Sequence, residues 1–182
     1  MQRFFLIGYM GAGKTTIGKK MAQQLNLDFI DLDHFIEKRY HRTISQIFAE
    51  KGESNFREIE ARTLDEVADF ENIVLSTGGG TPCFHNNLQR MNDTGITIYL
   101  KVSPEELARR LEICKNSRPL IKDKTQDELK TFIAENLLKR EMFYNRTSII
   151  LEAEKMMTRT DIQHTVNQLI EQINIFTGNG KQ

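Results

Sequence analysis

The stretch Gly8-Tyr-Met-Gly-Ala-Gly-Lys-Thr15 lies almost at the start of the chain. It follows an apolar run, residues 4–7, and precedes a segment with the apolar spacing of a helix, residues 17–25. A strand, a glycine-rich turn and the start of a helix, in that order, are the context of the pattern G-x-x-x-x-G-K-[ST]. In that context the backbone N–H groups of the turn and the helix N-terminus face a polyanion. The stretch therefore predicts a strand–loop–helix unit that binds phosphate groups.

The last two residues of this stretch indicate which phosphate compound is bound. Lys14 is expected to reach the outer phosphates, and the Thr15 hydroxyl is expected to take a place on Mg²⁺. The overlapping spacing of Gly8, Gly11 and Gly13 is also found in dinucleotide-binding loops, but a dinucleotide site gives no role to Lys14 and Thr15. The sequence therefore predicts a nucleoside triphosphate site.

The composition is that of an ordinary globular protein. At 182 residues the chain is expected to form one domain with a real core. Lysine plus arginine and aspartate plus glutamate number 25 each, so no overall basic field recruits nucleic acid or an anionic membrane. Cys83 and Cys114 form no C-x-x-C pair, which favours reduced thiols over a zinc site. The N-terminal apolar run is too short for a signal peptide or a membrane span, and a cytoplasmic location is expected.

Apolar runs and helical spacings alternate along the chain. Strands are predicted at 3–7, 27–31, 72–76, 96–102 and 147–151. Helices are predicted at 14–25, 34–40, from 43 to a break at Gly52, and at 54–68, 85–91, 127–144 and 161–175, with a further one starting at Pro104 after Ser103 as its N-cap. This alternation indicates an α/β protein with a parallel sheet.

Two further predicted strand ends carry unusual residues. Asp31 and Asp33 follow one strand, and Thr77-Gly78-Gly79-Gly80 follows another. Ligands of open α/β sheets bind beyond the carboxyl ends of the strands, so these segments are candidates for a site beside the phosphate loop. Two simpler interpretations stay open: the acids only cap the next helix, and the glycines form only a flexible connection.

Two arginines on predicted helices are candidates for holding an anionic group. Arg57 precedes Glu60 by about one helical turn, so Glu60 can orient its guanidinium. Arg140 shares a helix face with Tyr144. The alternative is that both arginines are ordinary surface charges.

A polar, basic loop separates two of the predicted helices. It spans residues 115–124 and carries Lys115, Arg118, Lys122 and Lys124. The loop is either a solvated turn or a lid that brings positive charge to a transferring phosphoryl group.

Taken together, these motifs resemble those of the shikimate kinases. The match covers nearly the whole length, with GxxGAGKT at Gly8, D-x-D at Asp31, FR-x-x-E at Phe56, TGGG at Thr77, RPL at Arg118 and R-x-x-x-Y at Arg140. The resemblance implies a P-loop kinase fold related to the nucleoside monophosphate kinases, a three-layer α/β sandwich whose five-stranded parallel sheet has the order 2-3-1-4-5. It also implies ATP-dependent phosphorylation of the 3-hydroxyl of shikimate, on the chorismate route to aromatic amino acids.

The resemblance also implies roles for single residues. The ATP site would comprise Gly11, Ala12, Gly13, Lys14, Thr15, Thr16, Arg110 near the adenine, and Arg118 from the lid. Thr15 would ligate Mg²⁺, and Asp31 would reach it through water. Shikimate would be held by Asp33, Arg57, Gly78, Gly79, Gly80 and Arg140. The catalytic set would be Lys14, Asp33 and Arg118, and whether Asp33 orients the hydroxyl or also takes its proton stays open.

The expected layout is a single kinase domain over residues 1–176. Residues 33–62 would form a helical acceptor-binding region, 112–124 a lid, and 177–182 a disordered tail. A monomer is expected, with shikimate as its small-molecule partner and neither nucleic acid nor membrane as a partner.

Three rival functions stay open at this point. Two are other small-molecule kinases of the same fold, a gluconate kinase and a nucleotide kinase. A nucleotide kinase would need a pocket for a second base, where this chain offers guanidinium groups and glycines. The third is a nucleotide-binding regulator without turnover, which is disfavoured by intact Lys14, Thr15, Asp33 and Arg118.

Overall fold

Five parallel strands form the sheet of this protein, and helices lie between them in sequence. The computed structural model describes residues 2–113 and 121–179. The strands are β1 Arg3–Ile7, β2 Asp28–Asp31, β3 Ile73–Ser76, β4 Ile96–Lys101 and β5 Ile149–Glu152. The helices are α1 Lys14–Leu25, α2 Leu32–Tyr40, α3 Ile44–Val67, α4 Asn87–Thr94, α5 Pro104–Ile113, α6 Gln126–Tyr144 and α7 Arg159–Asn179, with a short 3₁₀ turn at Thr81–Cys83.

The order of the strands is β2-β3-β1-β4-β5, and each neighbouring pair is parallel. The predicted fold class and strand order are therefore confirmed. β1 occupies the centre, and its residues Phe4 to Ile7 are buried, as expected for a strand covered by helices on both faces. Leu6 pairs with Ser76 and Asp31 pairs with Ser76 across β3. The three predicted site segments therefore begin side by side at one edge of the sheet.

Local chemistry accounts for several helix boundaries. Thr43 and Thr125 each form a capping box with the residue three positions on, so α3 and α6 begin directly after them. The Ser103 hydroxyl accepts a hydrogen bond from the Glu106 N–H at 3.3 Å, which confirms the predicted cap of α5. The break predicted at Gly52 is also present, because its φ of 77° interrupts the helical geometry of α3.

Two predictions of helical extent were wrong. The helix predicted at 85–91 begins only at Asn87, because His85 has a φ of 49°, in the left-handed region. Residues 177–179 were placed in a disordered tail, but α7 runs to Asn179. The Thr177 hydroxyl donates to the Ile173 carbonyl oxygen at 2.9 Å within that helix. The last three residues of the chain lie outside the described part.

Two further features bear on the sequence predictions. Cys83 forms no disulfide with any described residue, and Cys114 lies outside the described residues. Over residues 2–113 and 121–179, no helix has the length and apolar character needed to cross a membrane.

Candidate active site

The phosphate loop has the backbone geometry that its glycines predict. Gly11 has a φ of 83° and Gly13 a φ of 97°, which are left-handed values that glycine adopts without strain. Gly13 is the N-cap of α1, and no side chain caps that helix. The first N–H groups of α1 therefore have no capping side chain, and an anionic group placed there would be stabilised by them and by the helix dipole.

Lys14 lies folded over the start of this loop. Its ammonium group donates to the carbonyl oxygens of Gly8 at 2.8 Å and Tyr9 at 3.0 Å, and the residue is only 9% exposed. The flexible four-carbon stem allows the ammonium to turn towards a phosphate at the mouth of the loop. Its contact with the outer phosphates stays a prediction.

Thr15 and Asp31 meet at the mouth of the loop. The Thr15 hydroxyl donates to Asp31 Oδ2 at 2.9 Å, whereas Asp31 Oδ1 accepts from the His34 N–H at 3.4 Å. Asp31 therefore caps α2 with one oxygen and faces the phosphate loop with the other. The capping role left open by the sequence is therefore present, and the role of Asp31 at a magnesium ion stays a prediction.

The first glycine after β3 is surrounded by oxygen atoms. A Cβ placed on Gly78 would lie 3.0 Å from Asp33 Oδ1, 3.0 Å from Glu60 Oε1 and 3.0 Å from Thr81 Oγ1. A larger residue would displace this cluster, so Gly78 is more than a flexible connection. Burial, followed by the nearby carboxylates of Glu60 and Asp31 and opposed by Lys14, raises the pKa of Asp33 from 3.8 to about 6.

Arg57 is held from several sides. Its Nη1 donates to Glu60 Oε2 at 2.8 Å, and its Nη2 lies 3.2 Å from Glu53 Oε1. The guanidinium carbon lies 4.1 Å from the centroid of the Phe84 ring. The side chain is 13% exposed, and its Nε has no hydrogen-bond partner among the described residues. The predicted pairing with Glu60 is confirmed, and Arg57 is not an ordinary surface charge.

Arg140 reaches the same turn from α6. A Cβ on Gly79 would lie 3.2 Å from Arg140 Nη1, and a Cβ on Gly80 would lie 2.7 Å from Arg57 Nη2. The Tyr144 hydroxyl donates to the Gly79 carbonyl oxygen, and burial raises its pKa above the usual value so that it stays protonated. The two guanidinium groups thus approach adjacent glycines of one turn from two different helices.

Arg110 joins the phosphate loop to the segment that follows β5. Its Nη2 donates to the carbonyl oxygens of Ala153 at 2.7 Å and Glu154 at 2.8 Å, and its Nη1 lies 3.4 Å from those of Gly11 and Ala12. The predicted contact with adenine stays a prediction. The structure adds a bracing role, which the sequence did not indicate because the two segments meet only in the fold.

Ten of the predicted residues line one cleft of about 400 Å³ at the carboxyl edge of the sheet. Its walls include Gly11, Gly13, Lys14, Thr15, Thr16, Asp31, Asp33, Gly78, Gly79 and Arg110. Arg57, Gly80 and Arg140 do not line this cleft, but the Arg57 guanidinium lies against Gly80 and the Arg140 guanidinium against Gly79. Ala12 is 1% exposed and its N–H donates to the Tyr9 carbonyl oxygen at 3.1 Å, so the structure does not bring it to the cleft wall. Arg118 and most of the predicted lid, residues 114–120, lie outside the described residues.

Sequence reasoning missed three contributors to this site. Tyr9 lies under Arg140, whose guanidinium carbon is 5.1 Å from the Tyr9 ring centroid. Phe84 stacks on Arg57, and Thr81 donates to Glu60. Tyr9 lies inside the phosphate-loop motif and Thr81 directly follows the glycine run, so both positions could be singled out from the sequence. Their contacts with Arg140 and Glu60 could not, because these contacts join segments that are distant in the chain.

The raised pKa of Asp33 predicts a cost in stability. The folded protein keeps a proton that the unfolded chain releases between about pH 4 and pH 6, so stability falls across that window and the cost is full above it. Asp33→Asn should therefore raise the free energy of unfolding at pH 8 by up to ~3 kcal/mol, since one pKa unit is ~1.4 kcal/mol. Denaturant unfolding at pH 8 and at pH 3.5 checks this, because the gain should vanish at the lower pH. An equal gain at both would show that ionisation is not its cause.

Comparison with known proteins supports these observations. A model of the shikimate kinase family matches residues 10–174. A shikimate kinase of Parabacteroides distasonis is 57% identical over 171 residues, which are 94% of this chain and 99% of that relative.

Solved structures agree with this match. A crystal structure of a shikimate kinase from Bacteroides thetaiotaomicron has a TM-score of 0.92 at 50% identity, covering 95% of this chain and 98% of that one. A shikimate kinase from Acinetobacter baumannii in complex with shikimate has a TM-score of 0.86 at 28% identity, covering 100% of this chain and 96% of that one.

Proposed function

This chain belongs to the shikimate kinase family, and from that premise we propose that its cleft transfers the γ-phosphoryl group of ATP to the 3-hydroxyl of shikimate. The observation that carries this function is the convergence of Arg57 and Arg140 on the glycine turn next to Asp33. The two guanidinium groups can bind the carboxylate of shikimate, and the Asp33 carboxylate beside them can accept a hydrogen bond from one of its hydroxyls. The product, shikimate 3-phosphate, belongs to the chorismate route to aromatic amino acids.

The phosphate loop and Asp31 fit ATP and Mg²⁺. The first N–H groups of α1 are not capped by any side chain, and Lys14 adds a positive charge at the loop. Thr15 Oγ1 and Asp31 Oδ2, 2.9 Å apart, are hard oxygen ligands of the kind that Mg²⁺ prefers, directly or through water. When bound, Mg²⁺ neutralises charge on the phosphates. The residues of the chain itself hold the triphosphate and fix its direction towards the acceptor.

Asp33 is placed to handle the acceptor hydroxyl. It lines the cleft together with Thr15 and Gly79, and its carboxylate lies on the Gly78 side of the cleft. A pKa of about 6 leaves Asp33 mainly ionised at pH 7.5, yet close enough to neutral pH to take a proton. Phosphoryl transfer depends mainly on positioning and on stabilising charge, so a modest base is sufficient. We assign to Asp33 both the orientation of the hydroxyl and the acceptance of its proton.

The other expectations also remain proposals. Arg118 would add charge from the lid, and Arg110 would lie by the adenine. A monomer in the cytoplasm is part of the proposal. The balance of 25 basic and 25 acidic residues supports only the expectation that neither nucleic acid nor an anionic membrane is a partner.

Acceptor specificity tests this function. With Mg²⁺-ATP, shikimate should give a kcat/KM at least ~100-fold above that of gluconate or any nucleoside monophosphate. Gluconate carries its carboxylate and hydroxyls on a flexible chain, so their spacing is not fixed, and a nucleoside monophosphate has no carboxylate for Arg57 and Arg140. A coupled assay of ADP formation with each acceptor measures this. Equal turnover of gluconate would favour the gluconate kinase alternative, and ATP binding without turnover of any acceptor would favour the regulator.

A further inference from the structure

Glu60 is a buried carboxylate that depends on two donors. The side chain is 1% exposed, and its Oε2 accepts from Arg57 Nη1 at 2.8 Å. Its other oxygen, Oε1, accepts from the Thr81 hydroxyl at 2.5 Å. A buried carboxylate keeps its charge only when its oxygens are hydrogen-bonded. Arg57 supplies one such bond from the same helix, and Thr81 supplies the other from a different element.

Thr81 is itself fixed by its backbone. The residue is fully buried, its N–H donates to the Gly78 carbonyl oxygen at 3.2 Å, and its carbonyl oxygen accepts from Asn87 Nδ2 at 2.9 Å. These bonds anchor Thr81 between the glycine turn and α4. The backbone of Thr81 is therefore held by residues outside α3, and from that position its hydroxyl can fix the Glu60 side chain.

The position of Glu60 Oε1 matters because Asp33 lies close by. A Cβ on Gly78 would be 3.0 Å from Glu60 Oε1 and 3.0 Å from Asp33 Oδ1, so two carboxylates approach the same glycine. Without a donor on Oε1, repulsion between them would turn Glu60 away from this position. Such a rotation would also move Oε2, the oxygen that holds the Arg57 guanidinium.

We propose that Thr81 is a positioning residue for the acceptor: its hydroxyl fixes Glu60, and Glu60 in turn fixes the direction in which Arg57 presents its guanidinium to the carboxylate of the acceptor. The inference rests on the proposed function, because it concerns the acceptor side of that site. Thr81 itself does not touch the acceptor. The role requires a hydroxyl at position 81, and the methyl group of the threonine is not needed for it.

Four variants separate the hydroxyl from the packing of the side chain. Thr81→Val keeps the volume and removes the hydroxyl, whereas Thr81→Ser keeps the hydroxyl and removes the methyl group. Thr81→Ala differs from Thr81→Ser only in the oxygen atom, so this pair serves even where Thr81→Val does not fold. Thr63→Val is the matched control, because Thr63 is also buried and its hydroxyl donates to the Ile59 carbonyl oxygen at 2.8 Å within α3 itself.

The expected result is a selective change in the shikimate KM. Thr81→Val and Thr81→Ala should raise the shikimate KM roughly 10- to 100-fold, which is the change in affinity expected when a hydrogen bond to a charged group is lost. The same variants should change the ATP KM by less than about threefold. Thr81→Ser and Thr63→Val should stay within about twofold of the wild-type shikimate KM, even where their Tm falls by a few degrees. A purely structural role would lower Tm in all four variants without this split between the two substrates.

Two measurements on the full chain test the inference. One is steady-state kinetics with shikimate and Mg²⁺-ATP, and the other is calorimetric titration of the protein with shikimate alone. Equal shikimate KM values for Thr81→Ser and Thr81→Ala would overturn it, with the wild type still active on shikimate. A wild type that does not phosphorylate shikimate would overturn the proposed function as well.

A double-mutant cycle checks the route through Glu60. Glu60→Leu, which removes both side-chain oxygens, should by itself raise the shikimate KM, and adding Thr81→Val in that background should raise it by less than about threefold more, because no Glu60 oxygen is left for the Thr81 hydroxyl to hold. If the two effects multiply in full, Thr81 does not act through Glu60 and the inference is wrong.

Discussion

Lys14→Ala should lower kcat by about three orders of magnitude or more. In the folded protein the ammonium group lies on the phosphate loop, with Nζ 2.8 Å from the Gly8 carbonyl oxygen. A positive charge held there gains in value as negative charge develops on the transferring group, and one such donor is typically worth ~10²- to 10³-fold, with a full charge worth more. The kcat at saturating ATP and shikimate measures the effect.

Lys19→Ala is the matched control for this variant. Lys19 lies on the same helix, is exposed, and has its ammonium group 5.9 Å from the Phe29 ring centroid. It is expected to keep kcat within about twofold. Lys14→Ala also removes a donor from two loop carbonyl oxygens, so Tm should be measured alongside. A variant with reduced Tm but near-normal kcat would make Lys14 a brace of the loop and would contradict its catalytic role.

The second large effect concerns the two arginines that lie against the glycine turn, Arg57 and Arg140. Arg57→Ala and Arg140→Ala should each raise the shikimate KM ~10- to 100-fold, because each removes a charge-assisted hydrogen bond worth about 1.5–3 kcal/mol. The ATP KM should change much less, since the phosphate loop follows a different strand. Lysine at either position should rescue only in part, because an ammonium group cannot form the bidentate fork of a guanidinium.

The two variants should differ in stability. Arg57→Ala leaves the Glu60 carboxylate, which is 1% exposed, without its charged partner, so Tm should fall. Arg140 packs on the Tyr9 ring from a half-buried position, and its loss should cost less. Arg39→Ala is the control, because Arg39 pairs with Glu66 on the surface at 2.6 Å, away from the cleft. A shikimate KM that rises as much in Arg39→Ala would show that the effect is not specific to the site.

The elements that organise the cleft follow from local sequence patterns. The phosphate loop after β1, the two acids at the end of β2 and the glycine run after β3 each mark a strand end in the sequence, and the structure places all three ends at one edge of the sheet. The pairing of Arg57 with Glu60 was predictable for the same reason, because both lie one turn apart on one helix. The strand order came from the resemblance to a family, since no local pattern fixes it.

The parts that could not be predicted depend on contacts between distant segments. Thr81 meets Glu60 across 21 positions, and Arg110 meets Ala153 across 43. Both contacts depend on the path that the chain takes after a strand ends. After β3, for example, that path is shaped by backbone hydrogen bonds such as the one from the Cys83 N–H to the Gly80 carbonyl oxygen. The same turn leaves His85 in the left-handed region and delays the start of α4 to Asn87, which apolar spacing alone does not reveal.

The binding of the acceptor carboxylate by Arg57 and Arg140 is tested most directly by comparing shikimate with its carboxamide in the wild type and in the two arginine variants. The carboxamide keeps the ring and the hydroxyls and removes only the negative charge. We expect the wild type to prefer shikimate by ~10-fold or more in kcat/KM, and we expect Arg57→Ala and Arg140→Ala to lose most of that preference. A wild type that phosphorylates both acceptors equally well would contradict the assignment of Arg57 and Arg140 to the carboxylate.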